Sequence, residues 1–150
     1  MIPSEQQNSE KIRVVLFQSV DLNLAVLVSE VEDIIFRPEL SCLPNMPSAL
    51  EGFVNLHQEL IPVIDIAQLF GKSAREPQIY QHIVIIRGKK KSAFLTDRVS
   101  RIFNVPSEDV LSIEKNLNLK NLVQSDIMVE GETYHLLDTS FILGKIDLNG

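Results

Sequence analysis

The sequence predicts a mainly β protein built from two similar lobes. Short apolar runs recur along the chain between polar turns, a spacing that is typical of sandwiches and barrels rather than of parallel α/β sheets. Residues 52–71 and 126–144 also share one pattern, in which an apolar run, a polar turn and a second apolar run lead to Asp, five residues and Gly. The repeat lies in this pattern and not in residue identity. It indicates that each lobe closes with a hairpin and a short helix.

The first ordered segment is predicted to be a hairpin followed by a helix. Residues 13–19 and 24–28 are rich in β-forming side chains and flank a short polar segment, which predicts two paired strands. Ser29 and Glu32 then form a capping-box pattern, and the apolar residues around them recur at helical spacing. We therefore expect a short amphipathic helix over residues 29–35.

The first repeated stretch predicts a second hairpin. Residues 52–57 and 59–64 are two strands around a tight polar turn. Pro62 has no backbone N–H, so its strand is predicted to lie at an edge or a bulge. Asp65 is a suitable N-cap for a helix over residues 66–70.

The remaining elements follow a polar connection over residues 71–80, which places the boundary between the lobes at about residue 75. Beyond it the sequence predicts strands at residues 81–86, 91–96, 97–103, 127–129 and 134–137. Residues 104–121 are predicted to be mainly a loop. Asp138 is predicted to cap a last short helix, which Gly144 closes.

The composition indicates which cellular compartment and which class of partner to expect. The chain has 150 residues and a net charge of −6, which argues against a nucleic-acid backbone or an anionic membrane as the main partner. Residues 1–11 are polar and lack the features of a secretory signal, so we expect a disordered tail on a cytoplasmic protein. The only cysteine is Cys42, so no intrachain disulfide is expected. We interpret Lys89-Lys90-Lys91 as a solvated hairpin turn rather than a phosphate contact.

No arrangement of catalytic residues is evident. The sequence lacks G-x-S-x-G, a glycine-rich phosphate loop, H-E-x-x-H and C-x-x-C. His57, His82 and His135 lie on separate predicted strands without a ligand-spaced neighbour, so we interpret them as ordinary strand histidines and expect no metal. Asp65 and Asp138 are explained as helix caps rather than as an acid–base pair. These observations predict a protein that is not an enzyme and holds no cofactor.

Several motifs occur in order along the chain. Residues 43–71 contain a pattern that runs L-P-x-x-P, G-x-x-N-L, then P-V-x-D and a predicted short helix. Residues 17–35 contain a hairpin followed by Val-x-Asp-Ile, residues 94–102 a strand leading to D-x-V, and residues 135–143 an L-L-D helix start. Together, over about residues 12–145, they resemble the CheW-type coupling proteins. The positions in register are Leu43, Pro44, Pro47, Gly52, Asn55, Leu56, Pro62, Val63 and Asp65.

The resemblance implies a fold of two SH3-like, five-stranded β-barrel lobes with short helices. It implies a single CheW-like domain over residues 12–150, with lobes of about 12–75 and 76–150 that can exchange strands at their ends. It also implies a non-enzymatic adaptor that couples the cytoplasmic tip of chemoreceptors, the methyl-accepting proteins, to the regulatory domain of a CheA-type histidine kinase. We therefore expect a cytoplasmic protein recruited to membrane receptor arrays, with the receptor in the groove between the lobes.

The resemblance also implies which residues bind partners. They are Val31, Asp33 and Ile34 on the predicted first helix, Gly52, Asn55 and His57 on the central hairpin, and Asp97, Val99 and Ile102 in the second lobe. Plain core packing is the alternative for Val31, Ile34 and Val99, because helical spacing alone does not separate the two roles.

One departure from the family concerns the tip of the central hairpin, where N-L-R-G is replaced by Asn55-Leu56-His57-Gln58. The change removes a permanent cation and the turn glycine, so we expect a different turn shape and weaker or pH-sensitive partner contacts.

Two other functions remain open at the level of the sequence. A small β-barrel can bind nucleic acid, but it then needs a basic face with exposed aromatic residues. The chain has no Trp, two Tyr and a net negative charge. A CheW-like adaptor can also serve a non-flagellar pathway, such as one that controls pili or another non-motile output.

Overall fold

The structure, a computed structural model, describes residues 11–36, 38–42, 44–45, 50–72, 82–111 and 121–145. Most of these residues lie in strands, and a short helix follows each of the two repeated hairpins. In chain order the elements are β1 (Lys11–Ser19), β2 (Leu22–Leu27), β3 (Val31–Phe36), β4 (Leu50–Leu56), β5 (Glu59–Asp65), α1 (Ile66–Leu69), β6 (His82–Ile86), β7 (Ser92–Thr96), β8 (Arg98–Pro106), β9 (Val110–Leu111), β10 (Val123–Val129), β11 (Glu132–Leu137) and α2 (Thr139–Lys145).

The chain divides into two compact units, and each unit draws on both halves of the sequence. Unit 1 takes its described residues from within Met1–Leu16, Asn23–Val28 and Arg101–Gly150, and unit 2 from within Phe17–Leu22 and Ser29–Ser100. Most of the β1–β2 hairpin is therefore grouped with strands from the end of the chain, whereas β6 and β7 are grouped with β3, β4 and β5. The boundary predicted at about residue 75 falls in 73–81, outside the described residues, and stays a prediction.

Five strands of the larger sheet are arranged in space like the five strands of the other sheet, although they follow one another in a different order along the chain. One sheet runs β8-β1-β2-β11-β10-β9 and the other runs β3-β6-β7-β5-β4. In each of them one parallel contact joins two hairpins, β2 with β11 and β7 with β5. Ala25 on β2 lies opposite Leu136, Ala93 on β7 lies opposite Val63, and both alanines are fully buried. The internal repeat read from the sequence is thus a repeat of spatial arrangement.

The two repeated hairpins also agree residue by residue. Counted from the turn, both make five regular pairs, skip one residue on the first strand and then make a sixth pair. The skipped residues are Glu51 in β4 and Gln124 in β10. Equivalent residue numbers differ by 73 throughout, so Gly52 corresponds to Ser125.

Each unit has its own apolar core, built from inward-facing strand residues. In unit 1 the buried cluster is Val14, Leu16, Ala25, Val105, Ile127, Val129, Tyr134 and Leu136. In unit 2 it is Val54, Ile61, Val63, Ile83, Ile85, Ala93 and Leu95. The predicted mainly β fold with two lobes and short helices is confirmed, but the sheet containing β9 has six strands rather than five because Val110 and Leu111 pair with β10.

The helix predicted over residues 29–35 is wrong. Val28–Glu30 forms a single 3₁₀ turn, and Val31–Phe36 forms β3, which pairs with β6. The register shifts between Val31 and Asp33, and this irregularity breaks the two-residue alternation by which a strand is read. Four of the six residues of β3 are β-branched or aromatic, and so short a helix is unstable without tertiary contacts, so the ladder with β6 prevails.

The edge position predicted for the strand of Pro62 is also wrong, since β5 lies between β7 and β4. Pro62 faces Phe53, whose backbone N and O instead bond the O and N of Ser41, both at 2.7 Å. The Phe53–Pro62 pair is therefore a non-hydrogen-bonded pair of the ladder. Parallel pairing with β7 begins only at Val63. Pro62 thus costs the sheet no ladder bond, and a register irregularity lies nearby at Glu51.

Two element ends differ from the prediction. The segment expected to be a loop over residues 104–121 instead contains the end of β8, a 3₁₀ turn at Ser107–Asp109 and β9, while residues 112–120 lie outside the described residues. Gly144 lies within α2, which extends to Lys145, rather than closing it.

Candidate partner-binding site

Three of the predicted partner-binding residues lie on β3, an edge strand of the unit 2 sheet. Val31 and Ile34 are half-buried. Asp33 is exposed, and its Oδ1 accepts a hydrogen bond of 2.8 Å from the backbone N of Ile34. The carboxylate is thus held by its own strand and remains accessible to a partner.

The hairpin of β4 and β5 presents Asn55 and His57 to solvent. Asn55 lies near the end of β4, and His57 is the first residue of the turn. Leu60, which faces Asn55 across the ladder, has 55% of its surface exposed. The tip of this hairpin therefore combines an amide, an imidazole and an apolar side chain.

Gly52 has a structural role at the base of the same hairpin. It is buried, and a Cβ at this position would meet the backbone O of Ser41 at 2.8 Å and the Cβ of Leu40 at 3.3 Å. The segment around Ser41 pairs with Phe53 beside it, so it has little room to retreat. Gly52 is therefore explained by the close approach of this segment.

The turn of this hairpin is left-handed at both positions although neither residue is glycine. The φ angles are 52° for His57 and 65° for Gln58, the signs that a type I′ turn requires. The equivalent turn of β10 and β11 has 52° at Glu130 and 85° at Gly131. Within this chain the missing glycine leaves the signs of φ unchanged. It places a strained residue at the tip instead.

The last three predicted residues lie at and beyond the end of β7. The Asp97 Oδ2 accepts a 2.6 Å hydrogen bond from the backbone N of Val20, and the backbone N of Asp97 donates to Gln18 O at 2.8 Å. Asp97 thereby ties the β1–β2 turn. Val99 is half-buried, and Ile102 has 52% of its surface exposed.

A charged network lies at one end of the unit 2 sheet. Lys91 Nζ contacts Glu32 Oε2 at 2.7 Å and Glu59 Oε1 at 3.5 Å. The hydrogen bond from Lys91 lowers the pKa of Glu32, with weaker contributions from the charges of Arg87 and His57. The same bond raises the pKa of Lys91. Because the pKa of Glu32 is lowered, its contribution to stability is present above the unfolded pKa and is lost as the pH falls through the folded one.

The charged network connects side chains from strands that do not pair with each other. β3 and β4 lie at opposite ends of the sheet order, so no backbone pairing joins Asp33 to Asn55. Lys91 nevertheless contacts both Glu32, the neighbour of Asp33, and Glu59, the first residue of β5. The β3 start and the hairpin tip therefore share one electrostatic environment.

The predicted partner-binding residues did not include Phe36 or Leu60, two of the exposed apolar residues. Phe36, at the end of β3, has 55% of its surface exposed and lies edge-on to the ring of His82, with centroids 5.3 Å apart. Leu60 is as exposed as Phe36. Because strand side chains alternate between the two faces of a sheet, the buried Ile61 predicts that its neighbour Leu60 is exposed. The same argument does not predict the exposure of Phe36, because β3 is irregular.

A shallow pocket of about 430 Å³ lies beside β4. Its lining combines apolar and polar side chains from two segments, Pro38, Glu39, Leu40 and Ser41 on one side and Val54, Asn55 and Leu56 on the other. Asn55 is the only residue predicted to bind a partner that lines it.

Nothing in the described part of the chain points to a metal centre. His57, His82 and His135 lie in a turn, on β6 and on β11, and no group of three or more His, Cys, Asp or Glu among the described residues is arranged to hold an ion. His135 Nδ1 instead pairs with Asp126 Oδ1 at 2.7 Å across the ladder. Neither α1 nor α2, the two helices of the described residues, has the length or apolar character to cross a membrane.

Known proteins share both the sequence pattern and the fold. The family model of the CheW-like domain matches residues 13–147. The chain is 26% identical over 141 residues to the chemotaxis protein CheW of Thermotoga maritima, which covers 91% of each chain. It is 24% identical over 110 residues to the chemotaxis protein CheW of Treponema pallidum, which covers 70% of this chain and 65% of that protein.

A solved structure shows the same fold. The crystal structure of the scaffolding protein TtCheW from Thermoanaerobacter tengcongensis matches with a TM-score of 0.80 at 18% identity, covering 86% of this chain and 90% of that one. The family match spans both sheets and both capped helices described above. This chain therefore belongs to the CheW-like domain family.

Proposed function

We propose that this chain is a non-enzymatic adaptor of chemotaxis-type signalling, which couples the cytoplasmic tip of a chemoreceptor to the regulatory domain of a CheA-type histidine kinase. The observation that carries the proposal is the match of the CheW-like domain to residues 13–147. Its relatives are chemotaxis proteins by name. The protein acts in the cytoplasm, at the receptor arrays, and no step of this role needs a cofactor.

In this proposal the exposed members of the predicted set face a partner, and those with internal contacts support the fold. Asp33, Asn55, His57 and Ile102 are exposed and available for contact. Gly52 and Asp97 have internal roles, so substitutions there act through the fold.

The three half-buried residues, Val31, Ile34 and Val99, serve both purposes in this proposal. One part of each side chain packs inside its unit, and the remainder adds apolar area to the partner surface.

Binding to the kinase tests the proposal directly. The purified chain is titrated calorimetrically with the regulatory domain of its cognate CheA-type kinase, and in parallel with a receptor-tip fragment. Saturable binding to both supports the adaptor role. The absence of heat and of a mobility change with either partner at high micromolar concentration would contradict it.

Asp33→Lys tests the receptor-facing surface. Because Asp33 is exposed, the change leaves the melting temperature within a degree or two, since surface substitutions rarely alter stability. We expect receptor binding to weaken about tenfold through loss of charge complementarity. Glu108→Lys, an equal charge change at another exposed residue, serves as the control. Wild-type values for both melting and receptor binding would show that Asp33 is only a solvated charge.

A further inference from the structure

The turn between β6 and β7 concentrates positive charge on an acidic chain. It spans residues 87–91 and holds Arg87, Lys89, Lys90 and Lys91. The first three are exposed, and within the described part of the chain they make no ion pair with a carboxylate. The chain as a whole carries a net charge of −6. The turn is therefore a local cationic surface, which we call the basic turn (residues 87–91).

The base of the basic turn is held in place. Lys91 bonds both Glu32 and Glu59, and the backbone N of Arg87 donates to Glu30 O at 2.9 Å. Gly88 lies against the backbone O of Lys90, where a Cβ would come within 3.1 Å. These contacts fix the two ends and the bend of the turn. The cations at its tip are thus presented on an anchored support.

The fold itself does not require a turn of this length or charge. In the spatial arrangement that the two sheets share, β6–β7 is equivalent to β1–β2, whose strands are joined by only Val20 and Asp21. Asp21 pairs with Lys72 at 3.1 Å, so that turn exposes no unpaired cation. The same connection is therefore made with two residues between β1 and β2 and with five between β6 and β7. The difference points to a binding role for the added residues.

We propose that the basic turn docks a carboxylate-rich surface of a protein partner in the signalling complex. Lys89 and Lys90 supply the main attraction, and Arg87 offers a planar fork for a carboxylate. The neighbouring carboxylates, Glu30, Glu32 and Glu59, lie at the base of the turn, where Lys91 neutralises part of their charge.

Both the sequence and the neighbouring hairpin favour a protein partner. An acidic chain repels the extended phosphate charge of nucleic acid and of anionic membranes, whereas a small cationic patch matches a small acidic one. Lys91, the last residue of the basic turn, contacts Glu59 at the start of β5 at 3.5 Å, so the turn of β4 and β5 lies beside the basic turn. The identity of the partner, kinase or receptor, rests on the proposed function.

The test uses a double variant that carries both Lys89→Glu and Lys90→Glu. Its binding is compared with that of a charge-matched control. The control carries Lys11→Glu and Arg13→Glu, two exposed cations of β1. Both variants change the net charge equally, so a general electrostatic effect appears in both. Binding to the kinase domain and to the receptor tip is measured from low to high salt.

We expect the double variant to bind at least one partner about tenfold more weakly than the control at low salt, and the two to converge as salt screens the contact. Equal affinities and equal salt dependence for both partners would overturn the proposal. Loss of binding to phosphatidylglycerol vesicles, without any change in partner binding, would overturn it in favour of a lipid surface.

A second probe keeps this inference separate from the proposed function. Amide shifts of the full chain are followed by NMR during titration with a hexaglutamate peptide at low salt. Shifts centred on residues 87–91, absent in the double variant and retained in the control, support an acidic ligand even if the wild type binds neither signalling partner. Shifts spread evenly over the surface, or none at the basic turn, would overturn the inference.

Discussion

The hairpins β4–β5 and β10–β11 have identical pairing registers, yet they place glycine at different points. In the first, the glycine is Gly52 beside the skipped residue, and the turn has none. In the second, Ser125 occupies the equivalent position, and Gly131 lies in the turn. The first glycine is required by a neighbouring segment and the second by the backbone conformation. One geometry is thus maintained under two different local demands.

The helix caps of the two hairpins differ in burial. Asp65 is fully buried, and its carboxylate accepts from Ala67 N at 3.2 Å and from Gln68 Nε2 at 3.4 Å. Asp138 is half-buried and accepts from Phe141 N at 3.1 Å. An aspartate therefore accepts hydrogen bonds from the backbone at the start of both helices, at a buried position in unit 2 and at a more solvent-accessible one in unit 1.

The largest expected effect concerns the buried glycine. Gly52→Ala places a Cβ against the backbone O of Ser41, so we expect it to lower the free energy of unfolding by about 2–3 kcal/mol. Ser125→Ala at the equivalent position needs no new space and is expected to cost less than about 1 kcal/mol. Urea denaturation of both variants measures the difference. Equal losses would show that the neighbouring segment yields to the added carbon.

The second largest effect is expected at the two helix N-caps, whose removal should lower the free energy of unfolding by different amounts. Asp65→Ala leaves a buried amide without its acceptor and is expected to cost about 2 kcal/mol, the upper range for an N-cap. Asp138→Ala is expected to cost about 1 kcal/mol, because water can replace the lost acceptor. Thermal and urea unfolding at neutral pH provide both values. A larger loss for Asp138→Ala than for Asp65→Ala would contradict the argument from burial.

Binding at the turn of β4 and β5 is expected to respond on a scale of about 1 kcal/mol. His57→Arg combined with Gln58→Gly restores a permanent cation and a relaxed turn, so we expect tighter binding to a generic receptor tip by about that amount, the scale of a charge-assisted hydrogen bond. The comparison uses the protein's own receptor tip and a generic one. Unchanged affinities for both would show that the turn does not touch the partner.

The smallest effect concerns turn strain alone. Gln58→Gly removes a left-handed non-glycine residue and is expected to raise the free energy of unfolding by about 0.5 kcal/mol, since the gain is partly offset by greater freedom of the unfolded chain. Gly131→Gln is expected to lower it by about 1 kcal/mol at the equivalent turn. Paired denaturation curves check the opposite signs. A loss of stability in both variants would show that Gln58 makes compensating contacts.

Sequence patterns predicted the local elements well and the long-range arrangement poorly. The hairpin around residues 57–58 and the cap at Asp65 were found because turn and cap chemistry is local. β3 was missed because its register irregularity breaks the alternation, and β9 because two residues carry no period. The grouping of β1 and β2 with strands from the end of the chain depends on contacts that no local pattern encodes.

The candidate site shows the same division. The exposure of Asn55 and of the turn after it follows from their place beside a predicted turn. The bond between Lys91 and Glu32 joins residues far apart in sequence, and the packing of Ser41 beside Gly52 is visible only once the segment is placed. A motif marks these positions, but it does not separate a residue that touches a partner from one that supports the fold.

The grouping of strands has a consequence for synthesis on the ribosome. β6 and β7 find β3, β4 and β5 already made, so unit 2 has all its strands soon after residue 100 emerges. β2 instead waits for β11, with roughly a hundred residues between them, or about 5–20 s at ordinary rates of elongation. During that time the first hairpin offers unpaired strand edges to any neighbour. The β1–β2 hairpin, which is synthesised first, is therefore the part of the nascent chain that most needs a chaperone. A premature stop before β11 leaves β2 without its partner strand.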